Sequence, residues 1–399
     1  MSETGERGAP SVDLRDEALL DEAARNTGLS DFGDDGFREG LRVLLGALET
    51  EAGLHDFGRF FAHKEVLRHL ENRLKVTADW KRHPEMAEVE IVQPLFVVSL
   101  PRTGSTILHE LLAQDPDNRY VATWECNLPS PPPEAASYES DPRIAQWELE
   151  IARTHGSEVP DFEAMHPMGA RLPEECLTVT ALEFRSQVFA YQFHVPSYET
   201  WLERQDLLPV YASHRRQLQY MQWRCPRERW VLKAVGHLWA LKEIFEVYPD
   251  ARVVQTHRDP LKANASLTSL LAMGLGMSSD RVDSHAIGAQ WSQSWAEALK
   301  KTIAFRDSGV VDESRFFDVH YLEAMKDTVD MVRKVYDHFG IGFSQEAERR
   351  MREFLAVNPK DKHGAHRYSL EEFGLDPEVE RERYRFYTDR FGVEGEVGT

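Results

Sequence analysis

A short apolar run followed by a turn of small residues constrains this chain more than any other feature. Residues 94–100 (PLFVVSL) are apolar and β-branched without alternation, which is typical of a parallel strand buried on both faces. Residues 101–106 (PRTGST) form a turn, and residues 107–112 (ILHELL) have the pattern of an amphipathic helix. A strand, a tight turn and a helix make the first unit of an α/β fold.

Later segments repeat this unit. Strands are predicted at residues 230–233, 251–257 and 316–320. The first is followed by a helix at residues 238–247, the second by a helix that begins at Pro260, and the third by a helix that ends near Gly340. We therefore expect an α/β fold, a three-layer α/β/α sandwich with a mostly parallel sheet. The chain has 399 residues, of which 42% are apolar, so it can bury a core of this size.

The remaining segments suggest how the domains are organised. Residues 1–12 are predicted to be a disordered tail, and residues 13–90 an N-terminal helical region. Residues 91–399 would form the α/β domain. Within it, residues 124–225 have few strand signals, many aromatic residues and a proline run, which indicates a helical insertion, and residues 356–380 are a candidate C-terminal lid.

Charge and cysteine content restrict the function. A net charge of −20 argues against nucleic-acid binding, so a phosphorylated ligand would need a local basic pocket. The cysteines at 126, 176 and 225 form no framework, which fits a reducing compartment. There is no signal-peptide pattern, and the longest apolar run, about 10 residues, is shorter than the ~20 that a transmembrane helix needs. We expect a cytoplasmic protein without a transmembrane segment.

The turn at residues 101–106 has the features of an oxyanion site. Gly104 lets the backbone approach an anion, and free N–H groups at the helix start point at it. Ser105 and Thr106 add hydroxyl donors, and Arg102 adds a fixed charge with a forked donor set. The turn departs from the nucleoside-triphosphate pattern GxxxxGK[ST], because Ser99 replaces the first glycine and Ser105 replaces the lysine. An ordinary βα turn with a helix cap is the alternative.

A second group of polar residues ends a later strand. Arg258 and Asp259 follow the strand at 251–257, and Ser266 lies eight residues after Arg258, in the next helix. Arg258 and Ser266 can converge on one phosphate at the sheet edge where α/β proteins bind ligands. Asp259 can cap the helix or hold Arg258. The alternative is a surface Arg–Asp pair worth about 0–1 kcal/mol.

The ordered pair of PRTGST and RDP-x5-S resembles the sulfotransferases that use 3′-phosphoadenosine 5′-phosphosulfate (PAPS). The wording is similar to that of bacterial sulfotransferase-like proteins over roughly residues 27–376, in the stretches GLSDFGDDGFREGL, LFVVSLPRTGSTILHELLAQDPDNR, LPEE, VLKAVGHLWAL, YPDARVVQTHRDPLKANASL and HRYSLEEFGL. The resemblance implies a P-loop-like sulfotransferase fold. It also implies transfer of a sulfuryl group from PAPS to a hydroxyl of a small acceptor, bound by the helical insertion. A lipophilic acceptor is our hypothesis from the aromatic residues there.

The resemblance also implies which residues contact PAPS and its product 3′-phosphoadenosine 5′-phosphate (PAP). They are Arg102, Thr103, Gly104, Ser105, Thr106, Arg258, Ser266, Tyr321 and Arg367. Residues 102–106 would surround the 5′-phosphosulfate, and Arg258 and Ser266 the 3′-phosphate. Tyr321 would lie near adenine, and Arg367 would close from the lid. Ile107 stands where many relatives have a tryptophan on adenine, so that contact is open.

The catalytic base has three candidates. By resemblance, Arg102 and Lys233 would contact the transferring group. The histidine that serves as base in animal relatives falls at Val235 here, and His237 is the nearest substitute. Glu174 and Glu175 compete with it, since carboxylates act as base in other sulfotransferases. Each has a structural alternative: a backbone-bonded histidine at a helix start, or acids that complement a helix dipole. No metal is expected.

Two other functions stay open at this point. One is a P-loop nucleotide kinase, although the missing lysine after Gly104 argues against it. The other is a non-catalytic nucleotide-binding protein on the same scaffold.

Overall fold

The computed structural model describes residues 12–155, 168–358 and 369–396, and a five-stranded sheet lies at the centre of this part of the chain. The strands are β1 (Leu95–Ser99), β2 (Asn118–Arg119), β3 (Arg229–Lys233), β4 (Arg252–His257) and β5 (Phe316–His320). Their order is β2-β3-β1-β4-β5, and all neighbouring pairs are parallel. The carboxyl ends of β1, β3 and β4 therefore meet at one edge of the sheet.

The N-terminal region is helical and packs on this sheet. Its helices are α1 (Asp16–Thr27), α2 (Phe37–Thr50) and α3 (Asp56–Arg82), with a 3-10 turn at Pro84–Glu88. Leu19, Leu44 and Leu70 are fully buried and belong to the same hydrophobic core as Phe96 of β1. The region therefore shares its core with the sheet.

Helices and irregular segments connect β1 to β2 and β2 to β3. They are α4 (Ser105–Leu112), α5 (Thr123–Asn127), α6 (Pro142–His155), α7 (Cys176–Thr180), α8 (Val188–Gln192), α9 (Pro196–Leu202) and α10 (Leu208–Gln222), with 3-10 turns at Tyr138–Ser140 and Ala181–Glu183. Between β2 and β3 the described residues contain no further strand of the sheet, which agrees with the weak strand signals of this segment.

After β3 the chain alternates strands and helices. The helices are α11 (Leu241–Val247), α12 (Pro260–Gly276), α13 (Ser284–Asp307), α14 (Tyr321–Ala324), α15 (Thr328–Phe339), α16 (Gln345–Val357) and α17 (Pro377–Phe391), with 3-10 turns at Val235–Trp239, Glu313–Arg315 and Glu371–Phe373. Pro260 begins α12, and Asp259 caps it by accepting from the Leu261 N–H. The helix predicted at 238–247 is in fact a 3-10 turn followed by α11.

Both faces of the sheet are covered, which explains the nearly uninterrupted apolar run of β1 (LFVVS). Phe96 and Val98 of β1 belong to one hydrophobic core, together with α2, α3 and α13. Leu95 and Val97 belong to a second core on the opposite face, together with α4 and α15. The predicted three-layer α/β/α architecture is confirmed.

Two predicted segments lie partly outside the described residues. Residues 1–11 of the predicted tail (1–12) and residues 359–368 of the candidate lid (356–380), which include Arg367, are not described. Across the three described ranges, no helix is both long enough and apolar enough to cross a bilayer.

Candidate active site

The turn after β1 is held in a conformation that exposes its backbone to a ligand. Arg102 and Gly104 have φ values of 64° and 84°, in the left-handed region, and α4 begins directly after Gly104. The Thr103 hydroxyl donates to the Leu100 carbonyl at 2.8 Å and lies 2.6 Å from the Thr256 hydroxyl on β4. The turn is therefore tied to the end of the neighbouring strand.

The two motifs predicted to bind phosphates meet at this edge. Arg102 Nε donates to Ser266 Oγ at 3.1 Å, across 164 residues of sequence. Arg258 Nη1 donates to the Arg102 carbonyl oxygen at 2.9 Å. These contacts bring two guanidinium groups and a hydroxyl together at the carboxyl ends of β1 and β4.

Tyr321 covers this cluster from the end of β5. The Arg258 guanidinium carbon lies 4.0 Å from the centre of the Tyr321 ring, close enough for a cation–π contact. A Cβ on Gly104 would lie only 3.1 Å from the same ring, so the glycine is needed for this close approach. The ring therefore lies against both motifs, next to the space that the turn leaves open.

A carboxylate that the sequence did not predict lies against Arg258. Glu396 accepts hydrogen bonds from Arg258 Nε at 2.6 Å and from Nη2 at 3.0 Å. The Glu396 N–H donates to Asp259 Oδ2 at 2.8 Å, which anchors the segment after α17. The sequence carries no motif for this contact, because Glu396 is 138 residues from Arg258. The fork of Arg258 therefore already binds an oxyanion.

Lys233 and Glu175 form an ion pair beside the turn. Lys233 is 5% exposed at the end of β3, and its ammonium group donates to Glu175 Oε1 and, at 3.2 Å, to Thr106 Oγ1. The other oxygen of Glu175 accepts from the Val235 N–H at 3.4 Å. Glu175 immediately precedes α7, so the insertion places a carboxylate against the lysine predicted to contact the transferring group.

Glu174 bonds the backbone beside this pair rather than the Lys233 side chain. Its Oε1 accepts from the Glu175 N–H at 2.8 Å. Burial raises the pKa of Glu174 to about 7. The pKa alone favours Glu174 as a base, but no hydrogen bond connects its carboxylate to the Lys233 ammonium.

Among the described contacts, His237 makes no hydrogen bond to Lys233, Glu175 or the turn. It lies in the 3-10 turn after β3, is 1% exposed, and its Nδ1 is 2.6 Å from the Tyr211 hydroxyl. Its ring meets the Phe96 ring edge-on at 5.1 Å, underneath the sheet. Burial, with a contribution from His214, holds the pKa of His237 well below its ordinary value. His237 is therefore held among the buried side chains on this face of the sheet.

A second histidine near Lys233 was not singled out in the sequence. His109 on α4 is 3% exposed, and its Nε2 lies 3.3 Å from the Val231 carbonyl oxygen. Burial, and then the charge of Lys233, lower its pKa to about 4. The ring is neutral at physiological pH and is committed to the strand, which identifies it as a packing residue.

The edge is a local basic site in an acidic protein. Arg102, Lys233 and Arg258 surround a helix start that presents backbone N–H groups, and this arrangement suits a ligand with two phosphate groups. In the described ranges, no group of three or more His, Cys, Asp or Glu side chains could hold a metal ion. The parallel sheet and this basic edge together are those of an α/β protein with an anion-binding turn after its first strand.

Comparisons with known proteins identify the family of this chain. Residues 94–345 match the model of a sulfotransferase family. The structure resembles the sulfotransferase STF1 of Mycobacterium tuberculosis H37Rv, at 36% identity and a TM-score of 0.83, over 94% of this chain and 98% of that one. It also resembles the sulfotransferase STF9 of Mycobacterium avium, at 29% identity and a TM-score of 0.89, over 97% and 99% of the two chains.

A curated relative adds a named reaction. The chain is 23% identical over 329 residues to the omega-hydroxy-beta-dihydromenaquinone-9 sulfotransferase Stf3 of Mycobacterium bovis, covering 77% of this chain and 78% of that protein. This chain belongs to the sulfotransferase family, and it is an enzyme that transfers a sulfuryl group. Membership implies a sulfuryl donor, and neither the kinase nor the non-catalytic alternative is favoured.

Proposed function

We propose that this enzyme transfers the sulfuryl group of PAPS to a hydroxyl of a lipophilic acceptor and releases PAP. The observation that carries the donor is the meeting of Arg102, Ser266 and Arg258 at one sheet edge. A bisphosphate needs two anion sites at a fixed separation, and the two motifs supply them on neighbouring strands. A nucleotide without a 3′-phosphate would leave the second site unused.

The residues present fit PAPS on two counts. The Glu396 carboxylate is a stand-in for an oxyanion at Arg258, held by two hydrogen bonds as a phosphate would be. Many relatives have a tryptophan on adenine at the position of Ile107. The aromatic side chain of Tyr321 lies beside the turn and would take over that contact with adenine. Thr103, Gly104, Ser105 and Thr106 would present N–H and hydroxyl donors to the 5′-phosphate.

The transfer itself needs a base and positive charge. The acceptor oxygen forms a bond to sulfur while the bond between sulfur and the 5′-phosphate oxygen breaks, and the hydroxyl proton moves to the base. We assign the base to Glu175 because it contacts Lys233, which in turn contacts the turn through Thr106. Lys233 and Arg102 would stabilise charge on the sulfuryl oxygens and on the departing PAP.

The other candidates for the base fit less well. A base must lie within hydrogen-bond reach of the proton that it removes, so geometry is considered before pKa. Glu174 has the more suitable pKa, about 7, but its carboxylate is turned toward the backbone. His237 is buried beneath the sheet and bonded to Tyr211. We therefore propose Glu175, with Glu174 as the comparison.

The acceptor class rests on the relative and on the insertion. Stf3 is named for a hydroxylated menaquinone derivative, a lipophilic molecule. In the predicted insertion at residues 124–225, Glu175 bonds Lys233, and the aromatic side chains of Phe184 and Phe189 are fully buried. We propose that this insertion contacts the acceptor. The domain boundaries and the role of Arg367 in a lid stay predictions.

Calorimetric titration of PAP, ADP and ATP into wild type and Arg258→Ala tests the donor. We expect PAP to bind tightly and ATP far more weakly. Charge-assisted hydrogen bonds contribute about 1.5–3 kcal/mol each, so Arg258→Ala should weaken PAP binding by about 100-fold or more. Arg385→Ala on α17 removes the same charge from an exposed site and should change nothing.

Equal or tighter ATP binding would contradict the proposal for the donor. The acceptor class needs a second measurement, in which PAP release from PAPS is followed with a long-chain alcohol, a hydroxylated polyprenyl chain, a phenol and a sugar. Turnover with the lipophilic alcohols is expected. Turnover with the sugar alone would contradict the proposed acceptor class while leaving the donor site intact.

A further inference from the structure

The segment that follows α17 returns to the donor edge and reaches Arg258. We name residues 392–396 the C-terminal strap. The helix before it is fixed, because the Phe391 ring stacks on the ring of His257 in β4, with the ring centres 4.2 Å apart. Gly392 ends α17 with a φ of 61°, so the chain turns out of the helix there. The strap therefore starts against the strand whose carboxyl end carries Arg258.

The middle of the strap is loosely held. Val393 is half-buried against the hydrophobic core, but Glu394 and Gly395 are exposed. Neither of these two residues makes a hydrogen bond to another described residue. Segments with exposed backbone and few hydrogen bonds open at a low free-energy cost. The strap is therefore attached mainly at its two ends, to α17 and through Glu396.

Glu396 attaches the end of the strap to the donor edge through three hydrogen bonds. Its carboxylate accepts from Nε and Nη2 of Arg258 at 2.6 and 3.0 Å, and its N–H donates to Asp259 Oδ2 at 2.8 Å. Asp259 is itself fixed, because its other carboxylate oxygen caps α12. The third guanidinium nitrogen of Arg258, Nη1, bonds the Arg102 carbonyl oxygen. Each of the three nitrogens of Arg258 therefore has a partner within the chain.

A phosphate group at Arg258 needs the nitrogens that Glu396 occupies. Phosphate binds a guanidinium group through two parallel N–H···O bonds, as the Glu396 carboxylate does, and Nη1 is already bonded to the backbone. Two anions cannot share one side of the guanidinium group, so the strap and a 3′-phosphate exclude each other. A phosphate monoester carries about −1.5 to −2 charges and three acceptor oxygens, against one charge and two oxygens on the carboxylate. The 3′-phosphate is therefore the stronger of the two competitors.

We propose that the C-terminal strap is an autoinhibitory element: Glu396 closes the Arg258 site in the nucleotide-free enzyme, and the 3′-phosphate of PAPS or PAP displaces it. This inference rests on the proposed function and adds a movable part of the chain to it. Only molecules with the strap displaced can bind the 3′-phosphate, so the strap lowers the apparent affinity for PAP. The ion pair is partly exposed, at 20% and 16%, so the reduction is about 2–5-fold. When PAP leaves, Glu396 returns to Arg258.

Hydrogen–deuterium exchange of the full chain, read by mass spectrometry in the peptide that begins at Gly392, tests the strap. In nucleotide-free wild type the Glu396 N–H is bonded to Asp259 and should exchange slowly. Saturating PAP should raise the exchange rate of this amide by about 2–5-fold, whereas saturating ADP, which has no 3′-phosphate, should leave it unchanged. Glu396→Gln should exchange at the higher rate without nucleotide, because the neutral amide loses the ion pair to Arg258.

The matched control is Glu394→Gln, an exposed change of the same kind within the strap, which should exchange like wild type. Calorimetric titration of PAP into the same samples separates this test from that of the donor site. PAP binding that leaves the exchange unchanged or slows it would overturn the strap and leave the donor site intact. Equal exchange of nucleotide-free wild type and Glu396→Gln, or equal release by ADP and PAP, would overturn it as well. Absence of PAP binding would contradict the proposed function and, with it, displacement of the strap by the 3′-phosphate.

Discussion

The donor edge and a cavity of about 380 Å³ beside the segment that follows β3 differ in the elements that form them. The edge is charged: Arg102, Lys233 and Arg258 each lie at or within three residues of the end of a strand. The cavity is lined mainly by residues of helices and turns, and its walls combine apolar side chains with charged ones such as Arg185, Lys242 and Lys301. A strand end places the residues that follow it almost by itself, whereas a cavity exists only after several helices have packed.

Glu175 is where the two regions meet. It belongs to the insertion, yet its carboxylate completes the edge by pairing with Lys233. The two regions therefore contribute different residues to one ion pair. We propose that the edge binds the donor and that the insertion supplies the group that acts on the acceptor. Substitutions on either side, beginning with Glu175, can test this assignment of roles.

Replacement of Glu175 by glutamine should have the largest effect. A general base contributes typically about 10²–10⁴-fold to a rate, so turnover of PAPS with a saturating acceptor should fall by that amount. PAP affinity should be retained, because the donor contacts lie on the edge. The measurement is the steady-state rate of PAP release beside calorimetric binding of PAP.

Glu174→Gln is the matched control for Glu175→Gln. It removes a neighbouring carboxyl group that bonds only backbone among the contacts described, so its effect on turnover should be smaller by at least one order of magnitude. If Glu174→Gln or His237→Gln lost more turnover than Glu175→Gln, the base would be that residue and not Glu175.

Gly104→Ala should weaken the donor edge alone. An L-residue at the φ of 84° costs about 1–2 kcal/mol, and its Cβ would lie 3.1 Å from the Tyr321 ring. We expect PAP affinity to fall by about tenfold, as measured by calorimetry. Gly46→Ala is the control, since a Cβ there meets no atom within 4 Å and the position is helical. Equal PAP binding by Gly104→Ala and wild type would show that the turn does not hold the 5′-phosphate.

Glu396→Gln should act in the opposite direction. The Glu396 carboxylate lies in the fork of Arg258 that we assign to the 3′-phosphate, so it competes with the nucleotide. The pair is 20% and 16% exposed, and with an interaction of about 0.5–1 kcal/mol PAP affinity should rise by about 2–5-fold. Glu394→Gln removes the same charge from an exposed neighbour and should leave the affinity unchanged. Weaker PAP binding in Glu396→Gln would show that the glutamate positions Arg258 rather than competing.

Glu199→Gln should have the smallest effect, on stability rather than on catalysis. The pKa of Glu199 is raised from 4.5 to about 8 by burial, so the folded state keeps a proton that the unfolded state loses. The unfolded state therefore binds fewer protons between these values, and wild-type stability falls as the pH rises through that window. Thermal melts at about pH 5 and about pH 8 should show the variant gaining about 2 °C relative to wild type at the higher pH.

The control for this measurement is Glu297→Gln, at an exposed site on the helix whose Gln290 donates to Glu199. It should melt with the same pH dependence as wild type. A wild-type melting temperature that stays level between the two pH values, in parallel with that of Glu199→Gln, would mean that the Glu199 carboxyl group is ionised in the folded chain.

Much of the sheet could be predicted, because its strands are buried on both faces. The apolar and β-branched residues of β1, β3, β4 and β5 predict these strands, while the two-residue edge strand β2 has too few residues to form a pattern. The helix predicted at 238–247 begins with a 3-10 turn, since the buried ring of His237 lies against Phe96 there. That packing depends on a strand more than a hundred residues away, and no local pattern encodes it.

The sequence by itself determined the donor edge: Arg102, Lys233 and Arg258 follow strands whose carboxyl ends must meet in a parallel sheet. Only the tertiary structure decided which groups face them. It set Glu175 rather than Glu174 against Lys233, brought Glu396 to Arg258, and turned His237 beneath the sheet. The physical reason is the range of the interactions. Hydrogen bonding between strands fixes the position of a residue at a strand end. The partner of a side chain on a helix depends instead on how the whole core packs.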